Sequence, residues 1–219
     1  IPVINMINLA NLWVIRLIFG RIVIEQPPIA TSAPGLLLNV LVFGGAAGIC
    51  EEIMFRGVVQ RSFERIGQIK AILITAFLFG LLHIDFQKLL GTFLLGSLIG
   101  FIVYRTNSIF SGIFAHFINN SSAVLLGFMS SRYLESTDMA ESRGLVSQNA
   151  ADDFFARFEG ISTQELIITI IAALFIFAFF LTLLIGFMAV FIKNTSSGTA
   201  AEANMTAVDT KTSDLWGIV

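Results

Sequence analysis

Charge is what this sequence lacks most. Only 13 per cent of its 219 residues are charged, against about 25 per cent in ordinary globular chains, and mean hydropathy is +0.85. A folded globule cannot be coated with so little charge, which excludes a soluble enzyme. The near-balance of 13 basic and 15 acidic residues provides no basic patch, which excludes a nucleic-acid partner. A single cysteine excludes an internal disulfide framework. Tyrosine and tryptophan number two each, while phenylalanine, whose ring has no polar tip, numbers 22. The chain opens Ile1-Pro2 without a methionine, so its N-terminus is expected to be processed or trimmed.

What is abundant is long apolar sequence. Leu166 to Ile192 is 27 residues without a charge, more than the about 20 that a helix needs to cross a hydrocarbon core. A second helix is expected to start near Leu36, after Pro34-Gly35, and to run with helical spacing to about Ile66. Lys70 to His83, Leu89 to Tyr104 and Ile109 to Met129 supply three more. Residues 5 to 24 form a sixth candidate, interfacial or bundle-facing because of Arg16 and Arg21. The expected fold is all-α, a polytopic membrane bundle of five to six transmembrane helices. Its divisions are an N-terminal helix and loop (1–35), a membrane core (36–129), a polar extramembrane loop (130–164), a C-terminal transmembrane helix (165–193) and a flexible tail (194–219). Within the polar loop, Asp152 to Phe158 is expected to form a short surface helix. Arg56, Arg61, Arg65 and Lys70 put the connection near residue 66 on the cytoplasmic side by the positive-inside rule.

Against this background the buried ionisable residues carry the information. Directly after Leu36–Cys50 stands Glu51-Glu52-Ile53-Met54-Phe55-Arg56. A charge at mid-membrane costs roughly 2.5 to 3.5 kcal/mol, so three of them need partners or water. Glu52 and Arg56 are four residues apart on one helical face and can pair, while Glu51 projects about 100° away. A carboxylate beside a fixed ion pair, in a poorly solvated place, is a candidate general base. An ordinary interfacial ion pair is the plain alternative. Both histidines of the chain, His83 and His116, lie in apolar helices, and His116 shares a face with Asn120. Cys50 is expected to be a small core residue. Asp85 is expected to end a helix in water, and Ser121 and Ser122 to hydrogen-bond between helices. Gly91, Gly96 and Gly100 give a spacing for close helix contact.

The ordered set Glu51-Glu52-x-x-x-Arg56, Phe79-x-x-x-His83 and His116-x-x-x-Asn120 resembles the three-motif signature of the CAAX protease and bacteriocin-processing family. That family includes type II CAAX prenyl endopeptidases and Abi-like intramembrane proteases. The resemblance implies a glutamate-dependent intramembrane endopeptidase with Glu51, His83, His116 and Asn120 as catalytic residues. Glu51 and His83 would activate a water. His116 and Asn120 would stabilise the oxyanion, with Glu52 and Arg56 in support. The implied partners are membrane lipid and a peptide or protein substrate, prenylated or membrane-anchored. The implied location is a bacterial inner (plasma) membrane. No cofactor is expected; zinc held by Glu51, His83 and His116 is the alternative, without the His-Glu-x-x-His helix of soluble zinc proteases. Two further readings stand beside the protease: a non-catalytic immunity or scaffold protein of the same fold, and a transporter with a proton relay, against which the missing inverted repeat counts.

Overall fold

A computed structural model describes residues 2–22, 30, 32–136 and 161–216, with side chains described to 132 and from 161 to 195. Among the described residues all regular structure is helical, in six helices: α1 (Pro2–Phe19), α2 (Ala33–Ile66), α3 (Gln68–Leu82), α4 (Phe86–Thr106), α5 (Ile109–Ser136) and α6 (Thr163–Trp216). Five of them are long and apolar enough to cross a membrane. The protein is an integral membrane protein. The sixth, α3, has 15 residues and so spans only about 22 Å. It packs along α4, burying Ala71, Thr75, Ala76, Phe79 and Gly80.

Local chemistry explains the boundaries. Ser32 caps α2 by accepting a hydrogen bond from the Gly35 N–H at 3.3 Å, with Pro34 in the first turn. Gly67, at φ +110°, makes the turn into α3 that a side chain would resist. Asp85 caps α4 by accepting from Gln87 and Lys88 N–H at 2.9 and 3.3 Å, and Asn107 ends it in the left-handed conformation. Ser162 and Glu165 open α6 as a reciprocal capping box: Glu165 accepts from the Ser162 N–H at 2.9 Å and Ser162 from the Glu165 N–H at 3.3 Å.

α2 is where the expected single helix acquires detail. Residues 40–46 and 53–60 are π-helical, flanking a short α-helical stretch that ends at Glu52. Such i→i+5 segments are rare and gather at functional sites. The N-terminal helix packs against α4, burying Val3 and Ile15. One expectation needs correction. Cys50 is exposed on the outer face of α2, because its neighbours Gly48 and Glu52 take the inward positions. Residues 194–216, which fall in the expected tail, continue the helix α6. The helix expected at Asp152–Phe158 lies outside the described residues.

The bundle has a basic end. Arg61 reaches Asn107 at 3.3 Å, and Arg105 donates to Ile192 O at 2.7 Å and to Thr195 Oγ1 at 3.1 Å. The ends of α2 and α4 and the Ile192–Thr195 turn of α6 therefore share one side.

Candidate active site

The inward face of α2 carries Glu52, Arg56 and Gln60, all buried, at 0, 1 and 2 per cent exposure. A wide π turn holds more residues than an α turn, so positions four apart come closer to eclipsing, and the three point together into the bundle. Arg56 Nη1 donates to Glu52 Oε1 at 2.8 Å and Nη2 to the backbone carbonyl of Gly96 at 2.9 Å. Its guanidinium also stands over the Phe79 ring, 5.0 Å from the centroid. One turn on, Gln60 Nε2 donates to Gly100 O at 3.3 Å. Gly96 thus lets α3 approach closely, and Gly100 admits Gln60. A Cβ at Gly96 would lie 3.2 Å from Ala76 Cα, and one at Gly100 only 2.8 Å from Gln60 Oε1.

Across from Glu52 stands α5. His116, 2 per cent exposed, places Nδ1 2.8 Å from Glu52 Oε1, the same oxygen that Arg56 binds. Its Nε2 lies 3.7 Å from Glu51 Oε2. That oxygen is buried and has no hydrogen-bond partner among the described residues. A carboxylate at Glu52 makes Nδ1 the protonated, donating nitrogen and so fixes the ring's orientation. Room for Glu52 comes from Gly112, one turn before His116: a Cβ there would sit 2.7 Å from Glu52 Oε2.

Asn120 follows His116 by one turn and donates from Nδ2 to Phe43 O at 2.9 Å, a carbonyl inside the first π-helical stretch. Asn119 in turn donates to Asn120 Oδ1 at 3.0 Å, holding the carboxamide from both ends. His83 is placed differently. It caps the C-terminus of α3, with Nδ1 3.0 Å from Phe79 O, which leaves Nε2 as the acceptor nitrogen. The Phe79 ring stands between the two histidines, 5.0 Å from His83 and 5.7 Å from His116, edge-on to each. The residue after His83 is Ile84, at φ +51°, a conformation that a β-branched side chain rarely adopts.

Glu51, Glu52, Arg56 and His116 therefore form one cluster, with Asn120 a turn away and His83 joined through an aromatic wall. Sequence reasoning missed the Glu52–His116 bond, since it paired Glu52 with Arg56 alone. It also missed Gln60, although Glu52, Arg56 and Gln60 recur at fours. Asp85 binds backbone N–H groups and Lys88, not His83. Gly91 faces Asn8 of α1, away from Gly96 and Gly100. For a metal, no group of three His, Cys, Asp or Glu side chains among the described residues is arranged to hold an ion. His116 Nδ1 is committed to Glu52, and its Nε2 faces Glu51.

Residues 33–122, which contain the whole cluster, match the family model described as Type II CAAX prenyl endopeptidase Rce1-like. The match supports a CAAX-type protease or a related membrane protein. No curated protein and no solved structure matches the chain at a significant level.

Proposed function

We propose, from the Rce1-like character of residues 33–122, that the chain is an intramembrane endopeptidase in which Glu51 activates water. The observation that supports this most is the buried Glu51 Oε2, unpartnered, 3.7 Å from a His116 ring anchored on its other side by Glu52. At 3.7 Å the two atoms do not hydrogen-bond directly, and the proposal requires a water admitted between them.

The steps follow from the groups. Glu51 takes a proton from the water as its oxygen adds to the peptide carbonyl. The resulting oxyanion is met by N–H donors, His116 Nε2–H and the second amide hydrogen of Asn120, the first being spent on Phe43 O. The oxyanion role requires a hydrogen on His116 Nε2 as well as on the Nδ1 that faces Glu52. The proton held by Glu51 then passes by way of His83 Nε2, left as an acceptor by the Nδ1 contact with Phe79 O, to the leaving nitrogen as the C–N bond breaks and the oxyanion collapses to the carboxylic acid. No metal enters these steps.

The substrate we assign is a membrane-anchored or prenylated peptide or protein, the class named by the family. The bacterial members of the resembled family support an inner (plasma) membrane location. The basic end formed by Arg61, Arg65, Lys70, Arg105 and Lys193 would then face the cytoplasm. The test is cleavage of a prenylated CAAX peptide by the full chain in proteoliposomes. Glu51→Gln is expected to remove at least about a hundredfold of the rate while leaving the melting temperature unchanged. If the wild type cleaves nothing and Glu51→Gln preserves its cellular effect, the immunity or scaffold reading takes over.

A further inference from the structure

One turn before Gly96 on α4 is a second feature, and α1, which lies outside the family match, helps to build it. Lys88, Gly91 and Thr92 of α4, Asn5 and Asn8 of α1 and Asn119 of α5 line a cavity of about 180 Å³. That is the share of about six water molecules at about 30 Å³ each. Asn8 lines the cavity, and its Oδ1, packed against Gly91 without a partner among the described residues, reaches an occupant by a turn of the carboxamide about its last bond. Gly91 lets it in, since a Cβ at that position would lie 3.1 Å from both Asn8 Cγ and Oδ1.

The neighbouring polar groups are occupied. The Thr92 hydroxyl bonds back to Lys88 O at 2.9 Å and Leu89 O at 3.1 Å, and Lys88 pairs with Asp85 at 3.0 Å. Asparagine carboxamides are left to serve an occupant. One of them, Asn119, donates directly to Asn120 at 3.0 Å, so the wall of the cavity and the candidate oxyanion donor are bonded to each other.

The geometry points to a substrate subsite that takes the main chain of an extended peptide segment beside the scissile bond. A carboxamide carries one acceptor oxygen and a donor NH₂, the complement of a peptide unit's N–H and C=O. A helical substrate hides its carbonyls in its own hydrogen bonds and must unwind to be cut. Unwound backbone at membrane depth has to find polar partners in protein. Asn5, Asn8 and Asn119 supply them without reading side-chain identity. This assignment rests on the proteolytic reading above and deepens it.

The test uses the full chain in proteoliposomes with the prenylated CAAX peptide. Asn8→Leu is expected to raise KM about three- to tenfold, the range for one or two lost hydrogen bonds, with a much smaller change in kcat. Asn8→Gln should recover part of it. Independently, a benzophenone amino acid at Ile4, which also lines the cavity, should crosslink to uncleaved peptide in the Glu51→Gln background. If cleavage does not depend on Glu51, the proteolytic reading fails while the crosslink still reports occupancy. Cleavage that depends on Glu51, with KM unmoved in folded Asn8→Leu, overturns the subsite. So does a probe at Ile4 that labels only phospholipid. If Asn8→Leu does not fold, the crosslink decides.

Discussion

Glu52 and His116, 64 positions apart in the chain, share a 2.8 Å contact through the oxygen that also receives Arg56. Glu52 therefore belongs to two pairs at once. It neutralises a guanidinium on its own helix and orients an imidazole on another, so changes to either partner should be felt at the other.

Arg56→Ala is expected to cost roughly 3–5 kcal/mol, because it strands a fully buried Glu52. Arg56→Lys should recover only part of this, since one ammonium cannot reproduce the two-pronged reach to Glu52 and Gly96 O. Thermal unfolding in detergent checks both. An Arg56→Ala protein as stable as wild type would refute the structural role.

Gly112→Ala should destabilise by about 1–3 kcal/mol, because its methyl would lie 2.6 Å from Val103 Cγ2 and 2.7 Å from Glu52 Oε2. Gly127, on the same helix, has nothing within 4 Å of its ideal Cβ. Gly127→Ala should stabilise by up to about 1 kcal/mol through helix propensity. Opposite signs in the two melting shifts are the expected outcome.

Ile84 holds φ +51° while 94 per cent exposed, so its side chain gains little packing in return for the strained backbone. Ile84→Asn, a residue that tolerates this region, should stabilise by about 1 kcal/mol or more. A lowered melting temperature would show that the isoleucine contributes a contact of greater worth than the strain.

Asp85 sets a pH dependence. Partial burial raises its carboxyl pKa, but the Lys88 and Gln87 hydrogen bonds and the Lys88 charge outweigh this and hold it below the ordinary value. A folded pKa below the unfolded one gives stability that is present above the unfolded pKa, near 3.9, and is lost as pH falls through the folded pKa. Asp85→Asn keeps a good cap but cannot titrate. The stability difference between wild type and Asp85→Asn should shrink as pH is lowered from about 5 toward 2, and a constant difference would contradict the assignment.

Much of this architecture could be read from one strand of letters. Apolar runs located α2 to α5 to within a few residues except at the end of α5, which continues to Ser136, because lipid imposes helical structure on any uncharged stretch of that length. The Glu52–Arg56 pair followed from their spacing of four. What spacing cannot express is which face meets which helix. Glu52 to His116 and Asn120 to Phe43 O are contacts between helices, decided by the rotation of α2 and α5 about their axes. The π-helical stretches that set this rotation leave no simple periodic trace, and Val40–Ala46 reads as an ordinary small and β-branched helix segment. His83 and Phe79 were joined by their motif, yet the placement of that ring between two histidines depends on how α3 packs, which no local pattern encodes.

The π-helical stretch at residues 53–60 also makes α2 sensitive to length in an unusual way. A π segment is an α-helix accommodating surplus residues, so deleting one residue from it need not break the helix. The backbone could simply relax to ordinary i→i+4 bonding. Residues beyond the deletion would keep most of their bearing toward Glu52, because seven α residues turn the chain about as far as eight π residues do, roughly two turns in each case. The contacts of α2 with Gly100 and Asn107 would then be approximately kept. An insertion at the same place has no such slack, so this stretch tolerates shortening better than lengthening.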